Sequence, residues 1–249
     1  MLIAMRNAMM AGKRLRYAMN SPGDAGSNFT CSFDKLTQDT DMTVSFWFKP
    51  NANQIHGAIV HASGITTSGN GTGFALGYGS GSSNMEHDGR YANVLYNTMS
   101  WRGGYYMASY SSWHHYACVM TAGSYQGIQH GSSCRNFTAV LYIDGVSVKN
   151  FGSYRMLNDL SKLYVLGLTD ANDFRWVNGQ VTRLCLRLGR ALTATEIADE
   201  FVAGFNAPDM ADLSHYWDGT ENRDGKVEDH VGDWHLDING NASVVALTE

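Results

Sequence analysis

VNGQVTRLCLRLGRALTATEIADEFVAGF, residues 177–205, changes its hydrophobic period halfway along. In its first half Leu184, Leu186 and Leu188 alternate with Arg183, Cys185 and Arg187, the period-2 pattern of a strand that buries one face and wets the other. In its second half Thr193 stands three residues before Glu196, and Ile197, Phe201, Val202 and Phe205 recur at helical intervals. That spacing is a capping box opening an amphipathic helix. The stretch predicts a half-buried sheet with one short helix near 193–204 lying against it.

Working outward, Phe29, Cys31 and Phe33 alternate with Thr30 and Ser32, and Met42, Val44, Phe46 and Phe48 alternate with Thr43, Ser45 and Trp47. Pro50 ends the second run, because proline brings no ladder donor. Further strands are read over 58–62, 72–78, 91–96, 105–109, 113–121, 162–168, 215–217 and 234–238. Residues 137–148 read as two strands turning at Asp144-Gly145, a strong hairpin signal. About a dozen strands with one helix imply two packed antiparallel sheets, since parallel strands would each need a crossover helix. The expected architecture is an all-β sandwich over residues 28–249, its C-terminal segment structural, preceded by an N-terminal arm over 1–27.

That arm carries Met1, Met5, Met9, Met10 and Met19 and reads either as a docking surface or as simple disorder. Arg6 and Asn7 interrupt any apolar core of a secretory signal. No apolar run approaches the roughly 18 residues of a membrane-spanning helix. The 27 glycines, 3 prolines and 12% aromatic content suit short strands joined by turns. The net charge is −5 and the only basic cluster is Lys13, Arg14 and Arg16, so nucleic acid is not an expected partner. Cys31, Cys118, Cys134 and Cys185 lack the paired spacing of a thiolate zinc site. Cys118 and Cys134 flank a glycine- and serine-rich connection and read either as a disulfide or as buried free thiols.

Three phrases then coincide: SFWFKP at 45–50, WHHYACV at 113–119 followed by LYIDGVSV at 141–148, and the opening stretch. Their order and character resemble the laminin-G-like, concanavalin A-like superfamily across roughly residues 29–205, with Trp217-Asp218 similar to a further element of it. The resemblance implies a two-sheet jelly roll that serves as a glycan- or protein-binding module, as a part of viral particles or as a glucanase, with calcium at the rim as the cofactor it admits. The Met-rich start is similar to the starts of laminin-G-like proteins of bacteriophages.

A jelly-roll glucanase sets carboxylates on one strand as Glu-x-Asp-x-x-Glu, and this pattern is absent. Glu221, Asp224, Glu228 and Asp229 read as a solvated acidic loop. Asp170, Asn172 and Asp173 are the calcium candidates, with Asx turns as the alternative; Asp144 reads as a turn residue. His114 and His115, adjacent on a strand, point to opposite faces and cannot chelate one ion together. Tyr91, Tyr96, Trp101, Arg102, Tyr105 and Tyr106 are the candidate ligand site, aromatic faces beside polar groups as a sugar requires, with core or interface packing as the alternative. Trp101, beside Gly103 and Gly104, is expected at a loop tip.

The sequence therefore leads to a non-enzymatic structural or display protein of a bacteriophage virion (capsid decoration, fibre or tail component), self-associating and binding surface polysaccharide. Its partners would be other virion proteins or copies of itself. The alternatives are a secreted or cell-surface lectin module and, third, a glycoside hydrolase.

Overall fold

The computed structural model describes residues 16–53, 57–66, 69–79, 91–96, 100–107, 111–170 and 173–247. In chain order the strands are β1 (Tyr17–Pro22), β2 (Phe29–Thr37), β3 (Met42–Pro50), β4 (Gly57–Thr66), β5 (Gly69–Tyr78), β6 (Tyr91–Tyr96), β7 (Ser100–Tyr106), β8 (His114–Gln129) and β9 (Ser132–Ile143). There follow β10 (Val146–Leu157), β11 (Asp159–Val165), β12 (Thr169–Asp170), β13 (Asp173–Phe174), β14 (Asn178–Leu188), the helix α1 (Ala194–Ala203), β15 (His215–Trp217), β16 (Asp237–Ile238) and β17 (Ser243–Ala246). The first large sheet runs β10-β9-β8-β3-β14-β1-β17 with β15 beside β14, and the second runs β16-β2-β11-β4-β5-β6-β7. Every pairing in the two sheets is antiparallel. This is the two-sheet sandwich with one short helix that the sequence predicts.

The alternating apolar positions supply the layer between the sheets. Phe46, Phe48, Tyr116, Leu184 and Trp217 from one sheet meet Phe29, Ile59, Phe74, Leu76 and Leu163 from the other in one continuous cluster, and burial of this apolar area is the main force closing the sandwich. At Asp144-Gly145, φ values of 51° and 78° give the expected tight hairpin. In β14, Val181 and Leu184 both enter the core although they stand three apart. The ladder to β3 therefore shifts register between Thr182 and Cys185, where Arg183 takes φ 52° in a β-bulge.

Several expectations are corrected. The arm does not extend to residue 27: Tyr17–Pro22 is β1, held between β14 and β17, because Ala18 and Met19 pack fully buried. Residues 1–15 lie outside the described residues. The outer face of β14 is not wet: Arg183, Cys185 and Arg187 are buried, since α1 folds over this side and Trp47 packs on Phe201 and Phe205. The strand expected over 105–109 is Ser100–Tyr106, in register with β6, and Trp101 therefore lies inside a strand and not at a loop tip. The strand expected over 234–238 shortens to Asp237–Ile238, while β17 was not foreseen at all. Cys118 faces Leu141 on β9, seven residues along from Cys134, and all four cysteines are free and buried.

Candidate functional site

The site begins with one buried carboxylate. Asp229 Oδ1 accepts the backbone N–H groups of Tyr216 at 3.0 Å, Val231 at 3.2 Å and Gly232 at 3.1 Å. Its Oδ2 accepts His215 Nδ1 at 2.6 Å and Trp234 N–H at 3.1 Å. Burial opposes its ionisation, but the hydrogen bonds from His215, Tyr216, Gly232 and Val231 together win and hold the carboxyl at about 2. Asp229 thus folds residues 229–234 around itself, and its own N–H closes the loop on His235 Nδ1 at 3.1 Å. It is not part of a solvated acidic loop.

This loop sets Trp234 in a column of rings. Trp217 lies fully buried, His215 stacks 5.7 Å from it, Trp234 stacks on His215 at 3.8 Å, and Phe33 stacks on Trp234 at 3.8 Å with 7° between the planes. Trp217 Nε1 donates to Trp234 O at 2.9 Å, which fixes the stagger. The column runs from the core to the surface, where Phe33 and Trp234, both half-buried, line a groove of about 600 Å³ with Ser32, Asp34, Lys35, Leu36 and Asp233. Lys35 Nζ is committed to the buried Asp159 at 2.9 Å. Asp34 and Asp233 are exposed, and neither is paired with another described residue. Aromatic rings beside unpaired carboxylates are what a pyranose needs, apolar CH faces on the rings and hydroxyls on the acceptors. Rings and exposed oxygen acceptors thus meet in one groove, an arrangement suited to holding a sugar.

The residues singled out in the sequence fall elsewhere. On the hairpin of β6 and β7, Tyr91 stands opposite Tyr106, Ala92 opposite Tyr105, Val94 opposite Arg102, Leu95 opposite Trp101 and Tyr96 opposite Ser100. The fold thus brings all six together at the far edge of the second sheet from the groove, and Tyr105 and Tyr106 are exposed there. Asp170 stands opposite Asp173 in the β12-β13 ribbon, and Asn172 lies outside the described residues. Among the described residues no three His, Cys, Asp or Glu side chains are grouped to hold a metal ion. Asp144 serves the turn, accepting His115 N–H at 2.9 Å and pairing with His114 Nδ1 at 2.8 Å. His115 is the buried member of its pair.

Sequence reading missed Phe33 and Trp234 as a pair because 201 positions separate them in the chain. A signal was present in DHVGDW (229–234), where an Asp followed closely by a Gly is the signature of a side chain capping its own loop.

With this geometry in place, the profile described as the concanavalin A-like lectin/glucanases superfamily, laminin G type, matches residues 23–198. No curated protein sequence matches the chain. Among solved structures, a proposed carbohydrate-binding protein from Bacteroides ovatus superposes with a TM-score of 0.59 at 14% identity, over 95% of this chain and 61% of that one. The Trypanosoma rangeli sialidase bound to 2,3-difluorosialic acid superposes with a TM-score of 0.51 at 15% identity, over 75% of this chain and 27% of that one. At such identities the likeness is one of fold, and the chain spans only part of either protein.

Proposed function

Because this chain belongs to the concanavalin A-like lectin/glucanases superfamily, we propose that it is a non-catalytic carbohydrate-binding module whose sugar lies in the groove beside Phe33 and Trp234. The observation that carries this reading is the ring column, anchored by Asp229 and ending beside the exposed carboxylates of Asp34 and Asp233. The description of the Bacteroides fold relative as carbohydrate-binding agrees with it. A glycan array followed by calorimetry tests it: Phe33→Ala and Asp233→Asn should each weaken the best ligand by about tenfold or more; Asp233→Asn should leave the melting temperature nearly unchanged, and Phe33→Ala, which gives up its stacking on Trp234 and its packing against the core, should lower it while unfolding stays cooperative. Equal binding by both variants, or release of reducing sugar from that ligand, overturns the reading.

The setting we propose is display on a bacteriophage particle, as a decoration, fibre or tail component, with copies of itself as partners. Its support is the resemblance of the Met-rich start, MRNAMMAGKRLRYAM (residues 5–19), to those of phage laminin-G-like proteins. Mass spectrometry of purified particles should find the chain, and its confinement to culture medium free of particles would favour a secreted lectin. The β6-β7 aromatic edge is a second contact for an extended glycan, to be tested by Tyr106→Ala in the same titrations.

A further inference from the structure

The groove that Phe33 and Trp234 line is charged as well as aromatic. Asp34 and Asp233 stand in it with a single cation among the described residues of the lining, Lys35. The ammonium of Lys35 is taken up by a third carboxylate, the buried Asp159, at 2.9 Å. The nearby lysines are directed elsewhere too. Lys226 Nζ lies 2.9 Å from Asp237, which stands opposite Thr30 of β2. Lys162 stands opposite Ser32, but its ammonium lies 4.8 Å from the ring centroid of Tyr164, which pairs with Thr30, on the side of Ser32 away from Asp34. Asp34 and Asp233 therefore face water with no lysine turned toward them, and the groove carries an excess of negative charge.

Aromatic rings attract the apolar CH face of any sugar, and exposed carboxylates attract any cation weakly. A groove that holds both favours a ligand that carries both features. We infer that the Phe33 groove selects saccharides bearing a free ammonium group, such as 2-amino-2-deoxyhexose units, over neutral and acidic ones. This rests on the groove being a sugar site and names the class of sugar it takes. An amino sugar lays its CH face on the rings and turns its ammonium to Asp34 and Asp233, and an ammonium that nears a ring face gains further attraction there. A neutral sugar uses the two carboxylates only as acceptors for its hydroxyls. A uronic or sialic acid brings a like charge against them, with no cation in the lining left to offset it.

Calorimetry on the full chain at about pH 6, where such an amine is charged, compares three ligands: a glucosamine trimer, its N-acetylated form and the glucose trimer of the same linkage. The glucosamine trimer should bind about tenfold or more tightly than either of the others. That preference should shrink as salt is raised, because screening acts on exposed charges. Asp34→Asn combined with Asp233→Asn keeps oxygen acceptors for hydroxyls and removes the charge. It should bring the three trimers within about twofold of one another, whereas Phe33→Ala should weaken all three. Equal or tighter binding of a neutral trimer by the parent, no measurable binding of the glucosamine trimer, or a preference that survives the double substitution overturns the inference. An array glycan that loses affinity in Phe33→Ala keeps the groove a sugar site whichever way the amine comparison falls, and the lack of any such glycan removes both.

Discussion

Asp229 accepts five donors, and the same five bonds give the loop its shape and give stability its acid limit. Its carboxyl is held at about 2, below the ordinary 3.8, so the unfolded chain binds this proton more readily than the folded one. The stabilisation is fully present above about pH 4 and is lost as pH falls through about 2, a change on the order of 2 kcal/mol. Urea unfolding at pH 7, 4 and 2.5 should show the loss concentrated between the last two, and Asp229→Asn should abolish that step. The variant should also cost about 3 kcal/mol at neutral pH by leaving buried N–H groups with a weaker acceptor. Sugar binding should fall with it, because Asp233 and Trp234 ride on that loop. Little of this was legible: among Glu221, Asp224 and Glu228, Asp229 reads as one more solvated acid, only the nearby Gly232 hints at a capped loop, and its partners His215 and Tyr216 come from β15.

The elements divide by how local their cause is. α1 was read to within a residue or so because its start is written in two positions: Thr193 Oγ1 accepts Glu196 N–H at 3.3 Å and Glu196 Oε2 accepts Thr193 N–H at 2.7 Å. Thr193→Ala should therefore lower stability by about 1 kcal/mol, measurable as a small drop in melting temperature with glycan binding in the Phe33 groove retained. The hairpin at Asp144-Gly145 was equally plain. β14 was half legible, its apolar side correct and its charged side wrongly assigned to water. What covers Arg183 and Arg187 is a helix and a following segment that the strand's own alternation cannot announce. The three-residue step from Val181 to Leu184 was the visible trace of the bulge, since a regular strand would have kept the period of two. β6 and β7 placed the six candidate ligand residues side by side, yet on an edge remote from the groove, because which strands become neighbours is decided by the whole sheet.

At the scale of the molecule, the last part of the chain ties the two sheets together. β15 adds to the first sheet with Leu184 opposite Trp217, β16 adds to the second with Thr30 opposite Asp237, and β17 returns to the first against β1. Between them run Asp229, the ring column and the bridges of Val227 to Glu221 and Leu236. A chain ending before His215 loses the fully buried Trp217, whose removal alone is worth about 3–5 kcal/mol, and exposes Phe29 and the groove side of β2. A domain of this kind holds only about 5–15 kcal/mol in total, so that truncation should abolish cooperative unfolding and the near-ultraviolet aromatic signal. Removing residues 243–249 takes away only β17, whose Val244 and Val245 are half-buried. That shorter cut should leave a folded protein, lower in melting temperature, that still binds glycan in the Phe33 groove. A cooperative transition in the longer truncation would mean that the sandwich closes without its last strands and that the ring column is only an addition to it.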